Sequence, residues 1–492
     1  MKNSLLNLSM IILISSAVVG CGKEFLEKEP TEFISGKQIK EASRLNPDLQ
    51  NANIAGVYSF LYTQGVGGTG GHDDFGQRGI DIYSDMLCAD MTMHRNVYSW
   101  YRNLLQLVAT TDFTASPNYV VWRYYYRVIR GANTVIDGLG GNDITPENEK
   151  SKFFMGQAKA MRAYGYFFLA NFFSKEYNPS EPILPIYTNS TDLDNKGLST
   201  TKEVFDLIIK DLEEAISLLD KFKRSAKNEV NKQVAAGLLA YAYLTTGDYA
   251  KSAALSKSII DSGNFKLMDK KEVLESGFNN ISISGWMWGT DLTTDMGIDL
   301  ASWWGKCDIF TFSYAGFGDA KVMDQQLFDK IRDDDVRKKQ FLNAPGEPFH
   351  LTPYRKFYHS ERKLNGQRPT TTDYFYMRIA EMYLINAEAN SRNGNEVEAK
   401  ASLKTLLGER IPDTAYIDNL SGQALLDEIY LQTRIELWGE GRSYLAMKRN
   451  KATVTKGSNH LYLTGTSYPY NDEKLTFEIP QAEIQDNPLI TK

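Results

Sequence analysis

Between residues 151 and 173 the chain carries Phe153, Phe154, Met161, Tyr164, Tyr166, Phe167, Phe168, Leu169, Phe172 and Phe173. Wound at 3.6 residues per turn, these side chains cover nearly every side, and a helix apolar all round has to be enclosed by other elements. Ala158, Ala160, Ala163 and Gly165 leave room for those neighbours. Just before it, residues 119–139 place Val121, Tyr124, Tyr125, Val128, Ala132, Val135, Ile136 and Leu139 at steps of three, four and seven. That spacing predicts an amphipathic helix with one buried face. Residues 201–219 repeat it with Val204, Phe205, Ile208, Leu212, Ala215, Ile216 and Leu219.

Helical hairpins follow. Residues 230–262 read as two helices turning at Gly247-Asp248-Tyr249, with Ala235, Leu239, Tyr243 and Leu244 before the turn and Ala253, Ala254 and Ile259 after it. Residues 374–407 repeat the plan about Gly394. Each resembles a tetratricopeptide unit, which has to stack because it cannot bury its face alone. Gly247 and Gly394 lie 147 positions apart, so a long segment interrupts the array. Residues 425–449 predict a last long helix, and Phe477-Glu478-Ile479-Pro480 a short strand or extended piece. The expected fold is mainly α, with tetratricopeptide-like hairpins forming a frame at about 21–64, 118–264 and 371–492. Loop-rich insertions at about 65–117 and 265–370, with a few short strands, interrupt that frame.

The N-terminus reads as a leader. Lys2 precedes an apolar run from Leu5 to Val19 that Asn7, Ser9, Ser15 and Ser16 interrupt, too short to cross about 30 Å of hydrocarbon. Val18-Val19-Gly20-Cys21 resembles a lipobox, which makes residues 1–20 a lipoprotein signal peptide and Cys21 the acylated first residue. Several acyl chains on one residue exceed what stable membrane anchoring requires. Removing the leader takes away Lys2 and moves the net charge from -6 to -7, which offers no basic footprint for a nucleic acid. Of the three cysteines, Cys88 and Cys307 are left, and they read as two isolated buried thiols.

Catalytic motifs are sparse. Gly65-Val66-Gly67-Gly68-Thr69-Gly70 has the letters of a dinucleotide fingerprint, but a helix-like segment precedes it where a strand is required, so it reads as a loop. The sequence has no GxxxxGK[ST], GxSxG or HExxH, and its five histidines show no pairing at four residues. No cofactor or metal is expected; Asp291, Asp295 and Asp299 could line one helix face and hold calcium, but they lack the EF-hand order and its glutamate, so a solvated charge face is the favoured reading. Asp73, Asp74, Asp81, Asp85 and Asp90 supply carboxylates enough for a glycosidase pair, though 61 acidic residues make such a pair undiagnostic.

Trp286, Trp288, Trp303 and Trp304 fall within 19 residues of the second insertion. An aromatic plate covers the CH-rich face of a sugar while nearby polar groups bond its hydroxyls. Trp286 and Trp288 alternate in a strand-like run, so at least one is expected to face the core. Trp303 and Trp304, beside Lys306 and Asp308, cannot face the same way on a strand, so one is expected exposed. Tyr98 and Trp100 beside Arg102 and Asn103 have the same makeup. The candidate ligand residues are therefore Tyr98, Trp100, Trp303, Trp304 and Tyr314, with Asp85, Asp90 and Arg102 as polar candidates.

The order of these pieces resembles the SusD/RagB family of surface lipoproteins. Trp122, Tyr126, Ile129, Ala132-Asn133 and Ile136 match its first long helix, and Ala158-Lys159-Ala160-Met161-Arg162-Ala163-Tyr164 the next. Pro182-Ile183-Leu184-Pro185, then Arg378, Glu381 and Tyr383-Leu384-Ile385, then Arg434, Glu436-Leu437 and Glu440-Gly441-Arg442 follow in the family's order. Cys21 with Phe25-Leu26 and Glu29-Pro30 resembles its start, and Ile479-Pro480 with Glu483 and Asn487-Pro488 its end. Where the family often has an aspartate-leucine-x-arginine run, this chain reads Tyr444-Leu445-Ala446-Met447. The resemblance implies a non-enzymatic receptor, lipid-anchored in the outer membrane and facing outward. It would bind a glycan or oligosaccharide and deliver it to a SusC-like TonB-dependent transporter. A same-family receptor for peptide or another nutrient is the alternative, and a surface glycoside hydrolase ranks below both. Arg434, Glu436, Glu440 and Arg442 are expected in buried ion pairs between helices.

Overall fold

The computed structural model describes residues 46, 48–192 and 194–490, so the expected leader and Cys21 lie outside the described residues. The first half of the chain forms α1 (Leu49–Ser59), α2 (Gln77–Leu87), β1 (Met91–Met93), α3 (Arg102–Leu105), α4 (Ser116–Gly138), α5 (Glu149–Phe173), β2 (Pro182–Leu184), β3 (Ser199–Thr200), α6 (Thr201–Leu218), α7 (Lys232–Thr246) and α8 (Tyr249–Asp261). There follow α9 (Lys270–Glu275), β4 (Trp286–Thr290), α10 (Trp303–Cys307), β5 (Lys321–Met323), α11 (Gln325–Asp329) and β6 (Tyr374–Arg378). The chain closes with α12 (Ile379–Arg392), α13 (Glu396–Gly408), α14 (Gly422–Glu436), α15 (Ser443–Arg449), β7 (Val454–Thr455), β8 (Ser467–Tyr468) and α16 (Gln481–Asp486). The fold is mainly α, and no described helix is long and apolar enough to cross a membrane.

Helix α5 is the enclosed element: 21 of its 25 residues are buried, so it has neighbours on every side. Asn148 caps its start by accepting from the amides of Lys150 and Ser151. A Cβ at Gly165 would come within 2.7 Å of Ile129 and 3.2 Å of the Tyr125 carbonyl, so α4 and α5 touch only because this residue has no side chain. The buried guanidinium of Arg162 is matched by Asp211 of α6 through two bonds of 2.7 Å.

The hairpins α7–α8 and α12–α13 stack directly, with Asn386 of α12 donating to the Ala253 carbonyl at 2.8 Å and to Ser256 at 3.1 Å. The intervening segment is thus looped out, and two short ladders fasten it. Strand β4 pairs antiparallel with β6, which leads straight into α12, and β1 pairs with β5, joining one insertion to the other. Trp286 and Trp288 of β4 are both buried, against Phe375 and Tyr376.

Two elements differ from expectation. The helix expected over 425–449 is broken into α14 and α15 by Gly439 and Gly441, whose φ values of +79° and +70° leave the helical region. The first insertion, expected to be irregular, contains α2, all 11 residues of which are buried. Asp291, Asp295 and Asp299 lie in an irregular stretch with one short turn at Thr294–Met296, so no helix face unites them.

The expected ion pairs form, and they reach beyond the helices. Glu436 is bonded by Arg410 at 2.9 Å and by Arg378 and Arg337 at 3.2 Å each, while Glu440 takes Arg378 at 2.7 Å and Lys356 at 2.8 Å. Arg442 meets Glu381 at 2.9 Å and Arg434 meets Asp90 at 2.6 Å. Since Asp90, Arg337 and Lys356 belong to the insertions, this hub rivets them to the frame. Burial alone would raise the Glu436 carboxyl, but the guanidiniums of Arg410, Arg378 and Arg337 hold it well below the usual carboxylate range.

Candidate ligand-binding site

Three loops meet where the insertions face each other: residues 65–76, residues 94–103 after β1, and residues 303–319 before β5. The backbone amides of Val97 and Tyr98 both donate to the buried carboxylate of Asp319, at 2.5 and 3.4 Å, which pins the second loop to the third. Asp74 closes the glycine-rich loop by accepting from Gly67 at 2.8 Å and Thr69 at 3.0 Å, so it is a built turn rather than a nucleotide cradle. Ser99 and Tyr101 hold φ values of +63° and +68°, a strained backbone on either side of Trp100.

These loops bring together Tyr98, Trp100 and Tyr314. Tyr98 stands edge-on to Tyr314 at 4.9 Å between ring centres, and Trp100 to Tyr314 at 6.5 Å. His72 stacks flat on Trp100 at 5.3 Å and bonds the Tyr314 hydroxyl through Nδ1 at 2.8 Å. Tyr98 is exposed and Trp100 and Tyr314 are half-buried. Beside them a cleft of about 490 Å³ is lined by Trp100, Arg102, Asn103, Asp73, Ser99 and Thr69 among others. That is the makeup of a polyol site: rings for CH faces, and guanidinium, amide and hydroxyl groups for polar edges.

Lys306 sits beneath the rings. Its ammonium nitrogen lies 3.9 Å from the centre of Tyr314 and 4.8 Å from that of Trp100, within cation–π range, and has no hydrogen-bond partner. Burial, followed by the nearby charge of Lys321, pushes this amine down to about 6. Burial, and then Lys306, likewise lowers His72. In the sequence Lys306 reads only as a polar neighbour of tryptophans and His72 only as an unpaired histidine. Their roles depend on loops more than 200 positions apart in the chain, which no local pattern shows.

Four other candidates are placed elsewhere. Trp303 and Trp304 are fully buried, at 0% and 1% exposure, because their segment is an enclosed helical turn rather than the strand that would turn one of them outward. Trp303 lies under the Arg78 guanidinium at 3.9 Å and against Phe357 at 5.0 Å, so it belongs to the core. Asp85 is also buried and accepts from the Gly439 amide at 2.7 Å, holding the break between α14 and α15. Asp90 is spent on Arg434. Neither aspartate presents an oxygen to a ligand. Among the described residues Asp73 is the one carboxylate lining the cleft, where a glycosidase would need two.

Comparisons with known proteins point one way. The family model described as starch-binding associating with outer membrane matches residues 71–244, and that described as SusD family matches residues 343–492. SusD-like protein P2 of Formosa agariphila is 26% identical over 67% of this chain and 71% of its own length. SusD-like protein P25 of the same organism is 25% identical over 47% of this chain, which spans only 41% of that relative's length. Among solved structures, a SusD-like carbohydrate-binding protein of Bacteroides vulgatus aligns with a TM-score of 0.73 at 25% identity, over 89% of this chain and 96% of that one. A SusD superfamily protein of the same species reaches a TM-score of 0.75 at 19% identity, over 93% and 98%, a likeness of fold.

Proposed function

Since the chain belongs to the SusD/RagB family, we propose that it is a non-enzymatic receptor that captures an oligosaccharide on the Tyr98–Trp100–Tyr314 arc and passes it to a TonB-dependent transporter. The arc carries this reading: three rings from two insertions, one exposed and two half-buried, converge beside a polar cleft. In the same reading Arg102 and Asn103 bond hydroxyls at the rim, and His72 and Lys306 set the ring orientations from behind. Acylation at Cys21 would tether the protein to the outer membrane with this face outward.

The test is calorimetric titration of the full-length protein in detergent with oligosaccharides from a broad polysaccharide panel. At least one is expected to give saturable heat that Trp100→Ala weakens. Heat with peptides and silence across all glycans would move the cargo to the peptide class. Release of sugar products, abolished by Asp73→Asn, would make the protein an enzyme instead. The tether has its own check: Cys21→Ala is expected to leave the membrane fraction.

A further inference from the structure

A second concavity, sharing no residue with the aromatic cleft, opens where the C-terminal end of α5, the α7–α8 turn, α12 and α15 meet. Its volume is about 230 Å³, enough for a phosphate, a sulfate or a single acidic sugar. Four cations line it: Arg392, Lys448, Arg449 and Lys451. Two carboxylates answer them. Glu388 is shared by Arg392 at 3.0 Å and Arg449 at 2.8 Å, and Glu176 lies 3.2 Å from Lys451. Four cations against two carboxylates leave a surplus of two positive charges.

One of these charges belongs to Lys448, and the other is shared by Arg392 and Arg449, which divide Glu388 between them. Lys448 is buried at 6% exposure, and its ammonium donates to the carbonyls of Asn171, at 2.6 Å, and Ser174, closing the end of α5. Carbonyl oxygens satisfy its hydrogens but do not cancel its charge, and an uncancelled buried charge is costly. Burial accordingly pushes this amine down to about 7, with Glu181 acting on it only through space. Arg449 spends Nε and Nη2 on Glu388, while its Nη1 is buried without a partner. A water in the small internal space bounded by Tyr241, Glu381, Glu388 and Arg442 would satisfy that nitrogen. It would leave Lys448 unmatched.

We propose that this cleft binds a small oxyanion, a phosphate, sulfate or carboxylate group, through Lys448, Arg449 and Lys451. The anion would fill the missing half of the charge balance and tie α5 to α15, so occupancy would raise stability as well. This site stands on the helical frame and is independent of the sugar-binding reading.

Full-length protein is titrated with inorganic sulfate and, separately, inorganic phosphate, with chloride holding ionic strength constant, and followed by calorimetry and by melting temperature. Saturable binding with a Kd of about 1 mM or tighter is expected from at least one anion, together with a rise in melting temperature. Lys448→Met is expected to weaken it about ten-fold or more, and Lys451→Gln, at an exposed rim position that leaves the fold intact, about three-fold. Trp100→Ala is expected to leave anion binding unchanged. Absence of saturable binding by both anions up to about 10 mM overturns the proposal. So does unchanged affinity in Lys451→Gln together with Arg392→Gln, a pair that decides the matter if Lys448→Met does not fold.

Discussion

The hub around Glu436 and the arc around Lys306 both set basic side chains among aromatic rings, and they differ in how those groups are matched. At the hub, Arg378 has Glu436 and Glu440, Arg410 has Glu436, and Lys356 has Glu440 and the carbonyls of Glu436 and Trp438. At the arc, Lys306 has three rings and no hydrogen-bond partner. A matched buried cation locks elements together, and removing either side exposes the other to the full desolvation cost. A buried amine left unmatched gives up its proton instead, and signals a place where the fold has given up stability to keep a shape, as binding surfaces do.

The contrast is broken most directly at the hub. Glu436→Ala leaves three guanidiniums facing one another, and a loss of about 3 to 5 kcal/mol, read as a lowered denaturation midpoint, is expected; an unchanged midpoint would show that the hub locks nothing. The same carboxyl gives the wild type an acid limit. With its pKa depressed in the folded state, its contribution is whole above the ordinary value of 4.5 and is lost as pH falls below it, so stability should drop on acidification and Glu436→Gln should flatten that slope.

Next comes Trp100→Ala, expected to cost about 2 kcal/mol of glycan affinity, some thirty-fold, with the melting temperature nearly unchanged. Trp303→Ala should do the reverse, lowering stability through its lost core packing. If both substitutions move both observables equally, arc and core are not separable.

Lys306 sharpens the comparison through pH. Because its amine sits at about 6 when folded and near 10.5 when unfolded, the unfolded chain binds the extra proton between those values, and stability rises with pH across that window. Lys306→Met is expected to stabilise the protein by roughly 1 to 3 kcal/mol near pH 6 and progressively less toward pH 10, in thermal melts. A gain independent of pH would mean that the amine is not the source. The smallest effect belongs to Arg102→Ala, an exposed rim position, with a loss of glycan affinity under about 1 kcal/mol that fades at high salt.

Legibility in the sequence followed the physics of burial. The frame was readable because α4, α6 and the hairpins show their 3.6-residue period, and α5 because its aromatic surface leaves no solvent face. Helix α2 was hidden for the opposite reason: Arg78, Asp81 and Asp85 are buried in ion pairs and hydrogen bonds, so charges stand where a periodicity argument looks for apolar residues. The Gly439-Glu440-Gly441 break was visible as letters but lay inside a run of good helix formers. In the site, Tyr98, Trp100, Arg102 and Tyr314 announced themselves by local composition. Trp303 and Trp304 misled, since their strand-like alternation does not apply to a buried helical turn.

The ladder between the insertions consists of three residue pairs, Met91 with Met323, Thr92 with Val322 and Met93 with Lys321, and both halves of the arc extend from its Met93–Lys321 end. One half leaves the ribosome more than 200 residues before the other, and neither has its ring partners until both strands are in place. Contacts so far apart in the chain are late contacts in folding. A truncated or half-assembled copy therefore carries no complete arc, and whatever the arc binds is bound by the finished molecule alone.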